Sequence, residues 1–226
     1  MQNTPKRFGL FPAKAKDPKE TGAPRVSIVM PVFNKAEFTE KCLYSLVENT
    51  GDHLDYELVV VDNGSTDWTR YLLHAFEGDV QVLNNDENLG FARACNQGAA
   101  ICRSQYLVFL NNDTLLRPGW LQALVELADS DPKIGVVGAK LLYPDSGKVQ
   151  HAGLELRDGI PDHAFRGADP DDPRVSQVRD LDMVTGACLL IDRSLFAELQ
   201  GFDVEYLNGI EDVDLCLQVQ NMYLVT

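Results

Sequence analysis

The longest apolar runs in this chain fall far short of the ~20 residues that a membrane-spanning helix needs. The first 25 residues carry charges and four prolines but no apolar segment, so no signal peptide is expected. No GxGxxG follows the first apolar run, which weighs against a dinucleotide dehydrogenase. The phosphate loop of P-loop nucleotidases, with its glycine-lysine pair, is absent too. Any phosphate carried by a ligand would have to be neutralised by a metal. Basic residues are scarce: 20 Lys and Arg stand against 34 Asp and Glu, a net charge of −14. So acidic a chain is a poor main partner for nucleic acid or an anionic membrane. Cysteines are few and unpaired in pattern. Cys42, Cys95, Cys102, Cys188 and Cys216 make an odd number, contain no CxxC, and each lies within an apolar periodic segment. Free, buried thiols are expected, rather than disulfides or a zinc site.

The rest of the composition is that of a folded protein. The chain has 226 residues, 45% of them hydrophobic and 24% charged, which is enough for a well-buried α/β core. The charge is unevenly spread. Residues 1–25 hold six basic and two acidic side chains, and the remaining residues hold 14 and 32. The first segment reads as a mobile basic tail, and residues 26–226 as the folded domain.

Apolar periodicity then sets out a repeating order. Residues 26–30 (VSIVM) form a short β-branched run, the mark of a strand buried on both faces. Pro31 ends it, and Asn34 with Glu37 has the spacing of a helix cap. Phe38, Cys42 and Leu46 lie four apart on one helix face. A second strand is expected at 57–61, followed by a turn at Asp62–Gly64. Ser65 is the candidate cap of a helix bearing Trp68, Leu72 and Phe76. A third strand at 80–83 precedes a helix from about 90 to 103, with Phe91, Ala94, Ile101 and Cys102 inward. A fourth strand spans 106–110. The next helix has Pro118 in its first turn and buries Leu121, Leu124, Val125 and Ala128. This alternation implies a mostly parallel sheet with helices on both faces. Beyond residue 132 the rhythm changes: strands are expected at 134–142 and 183–191, with a long polar stretch, 143–182, between them. Loops of that length are usually functional.

In an open parallel sheet, ligands bind beyond the carboxyl ends of the strands. Three segments follow those ends: Pro31–Asn34, Asp62–Asp67 and Asn111–Thr114. Asp113 is the sharpest residue. A lone carboxylate with substrate phosphates is a common way to hold Mg²⁺ or Mn²⁺, and a turn-forming aspartate is the other reading. Asp62 carries the same ambiguity. Asp67 is read as a helix-dipole residue. Glu211, Asp212 and Asp214 lie at the start of a helix, where carboxylates stay ionised and one of them can act as a general base or merely begin the helix. His53 and His74 read as surface residues. His151 and His163 lie in the polar stretch, without metal-ligand spacing.

SIVMPVFN (27–34), VDNGSTD (61–67), NLGFARACNQG (88–98), FLNNDT (109–114), TGACLLIDRSLF (185–196) and GFDVEYLNGIEDVDLCLQ (201–218) occur in one order along the chain. In these motifs the sequence resembles a family 2 glycosyltransferase. The resemblance implies a Rossmann-like GT-A fold with a nucleotide-binding half at about 26–132 and an acceptor-side half at about 133–226. It implies an inverting transferase moving a sugar from a UDP-, dTDP- or GDP-sugar to a hydroxyl of a glycan or lipid-linked acceptor. Polysaccharide, cell-surface glycan or glycoconjugate synthesis would be the setting. Pro31, Val32, Phe33 and Asn34 would hold the nucleoside, with Asp62 and Asn63 near the base. Arg93 and Asn96 would lie near the phosphates. Asn111, Asn112 and Asp113 stand where the family carries its DxD motif, with Asp113 on a divalent cation and Asn112 towards the sugar. Gly186 and Ala187 would shape the acceptor side. Asp212 would be the catalytic base, supported by Glu211. The implied location is cytoplasmic, with room for peripheral association with the inner face of a membrane.

The motif at 111–113 departs from the family pattern in offering one carboxylate. Relatives usually continue past the base motif with a further strand, and often a metal-binding histidine. On that basis the chain reads as a catalytic core with its C-terminal part incomplete. The competing reading is a truncated, non-catalytic module that binds a nucleotide-sugar or a partner. A sugar nucleotidyltransferase would need a glycine-rich basic loop after the first strand, which PVFN does not offer.

Overall fold

The computed structural model describes residues 22–51, 54–76, 78, 80–206 and 209–226. Most of the expected tail, up to residue 21, and His53 lie outside the described residues. The chain alternates β1 (Val26–Val32), α1 (Ala36–Asn49), β2 (Tyr56–Asp62), α2 (Thr69–Ala75), β3 (Gln81–Asn84), α3 (Phe91–Ile101), β4 (Tyr106–Leu110), α4 (Trp120–Ser130) and β5 (Ile134–Gly138). Four short strands follow: β6 (Leu141–Leu142), β7 (Val149–His151), β8 (Leu154–Arg157) and β9 (Ile160–His163). The chain then runs through β10 (Cys188–Asp192), α5 (Arg193–Glu198), α6 (Glu211–Gln220) and β11 (Leu224–Val225).

Seven strands form one sheet in the order β11-β5-β10-β4-β1-β2-β3. All neighbours are parallel except β10, which runs antiparallel to both β4 and β5. The β-branched runs are central strands because both of their faces are covered. Ile28 and Met30 of β1 pack with Cys42, Leu43 and Leu46 of α1 and with Leu121 and Val125 of α4. Val29 points the other way, with Ala94 and Cys95 of α3 and Val213 and Cys216 of α6. Gly98 lets α3 lie close against the sheet. A Cβ there would stand 2.5 Å from Val29 Cγ1.

Several expectations shift by a turn or a residue. Phe38, Trp68 and Ile101 are exposed; Thr39, Leu73 and Cys95 take the inward positions. The 183–191 strand is confined to 188–192, and 134–142 breaks in two at Ala139. The 143–182 stretch is not structureless. β6 pairs with β7 and β8 with β9, and Val149, Ala152 and Val175 close a small core of their own. Its alternation is too short to register in a polar sequence. All five cysteines are free and buried. No helix among the described residues is long and apolar enough to cross a membrane.

Candidate functional site

Strand order reverses at β1, with β2 and β3 on one side and β4 on the other. A crevice beyond the carboxyl ends of β1 and β4 is the place where such sheets bind ligands. Four loops meet there, and their side chains interlock.

Asn34 does not cap its own helix. Its Oδ1 accepts from the backbone N–H of Thr66 at 2.8 Å and of Asp67 at 3.3 Å, in the next loop. Ser65 returns the contact, its Oγ accepting from Asn34 N at 2.8 Å, so Ser65 is not a helix cap either. Asp67 takes over both capping roles. It accepts from Ala36 N at the start of α1 and from Thr69 N at the start of α2. Burial opposes its ionised form, but these bonds and those from the Thr69 hydroxyl and Lys35 N–H prevail and lower its pKa. A side chain capping a helix across two loops leaves no local spacing to read.

Asn63 ties the second loop to the third. Its amide donates to Asn88 Oδ1 and Gly90 O and accepts from Asn85 Nδ2 and Leu89 N. Gly64, at φ +82°, lets the turn approach the 87–88 backbone; a Cβ would meet Glu87 C at 2.6 Å. Asp62 is fully buried, accepting from Ser65 N and ion-pairing with Arg70 at 3.2 Å. Asn96 is clamped to the 201–202 turn, donating to Phe202 O and accepting from Phe202 N. Asn34 Oδ1 and the side-chain polar groups of Asp62, Asn63 and Asn96 are thus engaged within the protein, and they shape the cradle. Pro31 is half-buried and Val32 buried at the end of β1. Phe33, Arg93 and Asp113 are exposed there, and the side chains of Arg93 and Asp113 have no hydrogen bond or ion pair among the described residues.

The decisive junction is a short turn before β10. Asn111 N donates to Ala187 O at 3.0 Å. The adjacent Gly186 N donates to Asp212 Oδ2 at 2.8 Å. The segment after β4 and the carboxylate at the start of α6 are therefore joined through two successive residues. Asn112 is held by Thr39, its Nδ2 donating to Oγ1 at 2.8 Å. Beneath the junction, Phe109, Phe196 and Phe202 stack with ring centroids 4.8–5.3 Å apart, and Phe91 lies 5.9 Å from Phe202. This aromatic support was hidden in the sequence, because its rings come from four separate segments.

Known proteins match this chain along most of its length. The family model described as Glycosyl transferase family 2 matches residues 27–199. The chain belongs to that family. The O-antigen biosynthesis protein RfbC of Myxococcus xanthus is 32% identical over 88% of this chain, which spans only 16% of that protein. The N-acetylglucosaminyl-diphospho-decaprenol L-rhamnosyltransferase of Mycobacterium tuberculosis is 27% identical over 83% of the chain and 68% of its own length. Among solved structures, the mannosyltransferase PcManGT of Pyrobaculum calidifontis, in complex with GDP-Man and Mn²⁺, superimposes with a TM-score of 0.68 at 22% identity. That superposition covers 93% of this chain and 56% of the other. The fold is the GT-A fold.

Asp212 is half-buried; its second oxygen, Oδ1, accepts from Val213 N at 2.8 Å. Glu211 is buried and has one oxygen, Oε2, without a partner among the described residues. Burial raises its pKa, and the charge of Asp212 adds to the effect against opposing backbone bonds. Gly209 and Ile210 just before it both have φ above +80° or at it, and for a β-branched residue that is a strained conformation. His151 and His163, unassigned by spacing, face one another with Nδ1 atoms 2.8 Å apart. No group of three or more His, Cys, Asp or Glu side chains is gathered to hold a metal among the described residues.

Proposed function

We propose that the chain is the catalytic domain of an inverting glycosyltransferase that moves a sugar from a nucleoside-diphosphate donor to an acceptor hydroxyl. The observation that carries this is the junction at Gly186–Ala187, which joins the donor-side segment 111–113 to the carboxylate of Asp212. A displacement reaction needs a base on one side of the anomeric carbon and a stabilised leaving group on the other. Asp212 is the base in this reading. Its oxygens each take one backbone N–H, which fixes the carboxylate while leaving lone pairs to receive the acceptor's proton. A single displacement then inverts the anomeric configuration.

On the donor side, Asp113 offers one exposed carboxylate that has no partner among the described residues. That fits a divalent cation, Mn²⁺ or Mg²⁺, whose other ligands are donor phosphates. When bound, the cation would supply positive charge to the diphosphate leaving group. Arg93 adds an exposed cation near the N-terminus of α3. Phe33 presents an exposed ring at the end of β1, suited to the flat face of a base. Gly186 and Ala187 form the wall towards the acceptor. The named activities of the relatives support a glycan or lipid-linked acceptor and a role in polysaccharide or glycoconjugate synthesis. A lipid-linked acceptor would bring the domain to the inner face of a membrane, with the donor taken from the cytoplasm.

The test is turnover of UDP-, dTDP- and GDP-sugars with Mn²⁺ or Mg²⁺ and a panel of glycan acceptors. Asp212→Asn should lower kcat by about 10²–10⁴-fold while donor affinity stays within a few fold. Wild-type turnover by Asp212→Asn would refute the base assignment. Donor binding without transfer to any acceptor would favour a binding module instead.

A further inference from the structure

The two histidines belong to a chain of bonds that ends on the base. His151 is buried, and its Nε2 receives two backbone donors, Gly153 N at 3.3 Å and Thr185 N at 3.4 Å. A ring nitrogen that accepts two N–H groups carries no proton. The single proton of neutral His151 is therefore on Nδ1, and it donates to His163 Nδ1 at 2.8 Å. His163 in turn carries its proton on Nε2. Adding a second proton to either ring would set two N–H groups against each other across the pair or at the Thr185 backbone. Both rings are accordingly held neutral. Burial, helped by the neighbouring His163, lowers His151 to about 3. Burial and Arg166 lower His163, against the opposing pull of Asp162 and Asp212. That pull also places Asp212 within electrostatic reach of His163.

The residue after Thr185 is Gly186, whose N–H holds Asp212 Oδ2 at 2.8 Å. We propose that His163 and His151 are positioning residues for Asp212: His163 locks the tautomer of His151, and that tautomer holds the Thr185–Gly186 backbone in the orientation that binds the carboxylate. The proposal rests on reading Asp212 as the base. It accounts for a His–His pair in which one ring is buried and the other half-buried. The two rings sit at the last residues of β7 and β9, each paired within its own small hairpin.

His151 also lines a cavity of about 240 Å³ with Gly153, Arg179 and Val184, so truncating it would leave a void. His163 is the better site for substitution. In His163→Asn, an amide oxygen stands where Nδ1 stood and still accepts from His151. His163→Leu offers no acceptor. His163→Gln mimics Nε2 instead.

The experiment is long-range ¹H–¹⁵N spectroscopy of the histidines in the full chain, without added ligand. His151 should show a protonated Nδ1 and a bare Nε2, and His163 the reverse. His163→Asn should keep the His151 signature and the Gly186 amide position, and His163→Leu should change both. Turnover of the UDP-, dTDP- and GDP-sugar panel with Mn²⁺ gives the second readout. His163→Leu should lower kcat by about tenfold or more at unchanged donor KM, while His163→Asn stays within about threefold. A wild-type His151 protonated at Nε2 overturns the proposal. So does an identical Gly186 amide position in the Asn and Leu variants. Rescue of turnover by Gln but not Asn also overturns it, since the ring would then act through Nε2. Failure of the base reading appears elsewhere, as normal turnover by Asp212→Asn, and leaves the tautomer result standing.

Discussion

Asn63→Asp is the sharpest perturbation of the cradle, because it changes one atom's chemistry and almost nothing of its shape. The Asn63 amide is 4% exposed and makes four hydrogen bonds. The two it accepts, from Asn85 Nδ2 and Leu89 N, survive in a carboxylate. The two it donates, to Asn88 Oδ1 at 2.8 Å and Gly90 O at 3.1 Å, become contacts between acceptors. A buried acceptor left without its donor costs about 1–3 kcal/mol. Two such losses, partly relieved by the bonds that remain, give a destabilisation of about 3 kcal/mol. In a domain of this size that lowers Tm by about 6–12 °C. Thermal unfolding followed by far-UV circular dichroism at pH 7 measures it directly. The gap should narrow as pH falls towards about 4, because burial beside two acceptors raises the folded-state pKa of the introduced carboxyl and it regains a proton and one donor there. A variant melting within about 2 °C of wild type at pH 7 would refute the view that Asn63 knits the second and third loops together.

Other outcomes follow from the same structure. With a nucleoside diphosphate, Mn²⁺ should raise the wild-type melting temperature beyond nucleotide alone, and Asp113→Ala should lose only that metal-dependent increment; an undiminished increment would remove Asp113 from the cation site. Glu211 has a raised pKa, so its contribution to stability is present below its unfolded value of 4.5 and is lost as pH rises through the folded value. Glu211→Gln should therefore melt higher than wild type at pH 7, with the difference closing towards pH 4; a constant or reversed difference contradicts the assignment. Gly98→Ala should destabilise by about 1–2 kcal/mol, because overpacking against Val29 exceeds the ~1 kcal/mol that alanine gains in a helix. An equal or higher Tm would mean that the α3–sheet contact yields freely.

The central strands were legible because both of their faces are buried, and five-residue runs such as VSIVM and YLVFL leave little ambiguity. The loops after β1, β2 and β4 were legible as a set for a topological reason: parallel strands deliver their carboxyl ends to one edge. The motifs also carried the family. What those loops do internally was not legible. Asn34 looks like a helix cap by spacing, yet Asp67, from the following loop, supplies that bond. Asn96 looks available in the sequence, yet it holds a turn more than a hundred residues away. Long-range partners of this kind leave no periodic trace.

The sequence by itself determined the alternating order of strands and helices up to about residue 132, and that Asp113 and Asp212 stand near the ends of such elements, because those properties depend on local pattern. Only the tertiary structure decided that Asn111 and Asp212 meet at neighbouring residues, Ala187 and Gly186. The insertion of β10 between β4 and β5, antiparallel to both, brings that turn to the ligand edge of a sheet that is otherwise parallel. The pairing of His151 with His163 was settled in the same way, since the two small hairpins of the polar stretch carry the rings to one place.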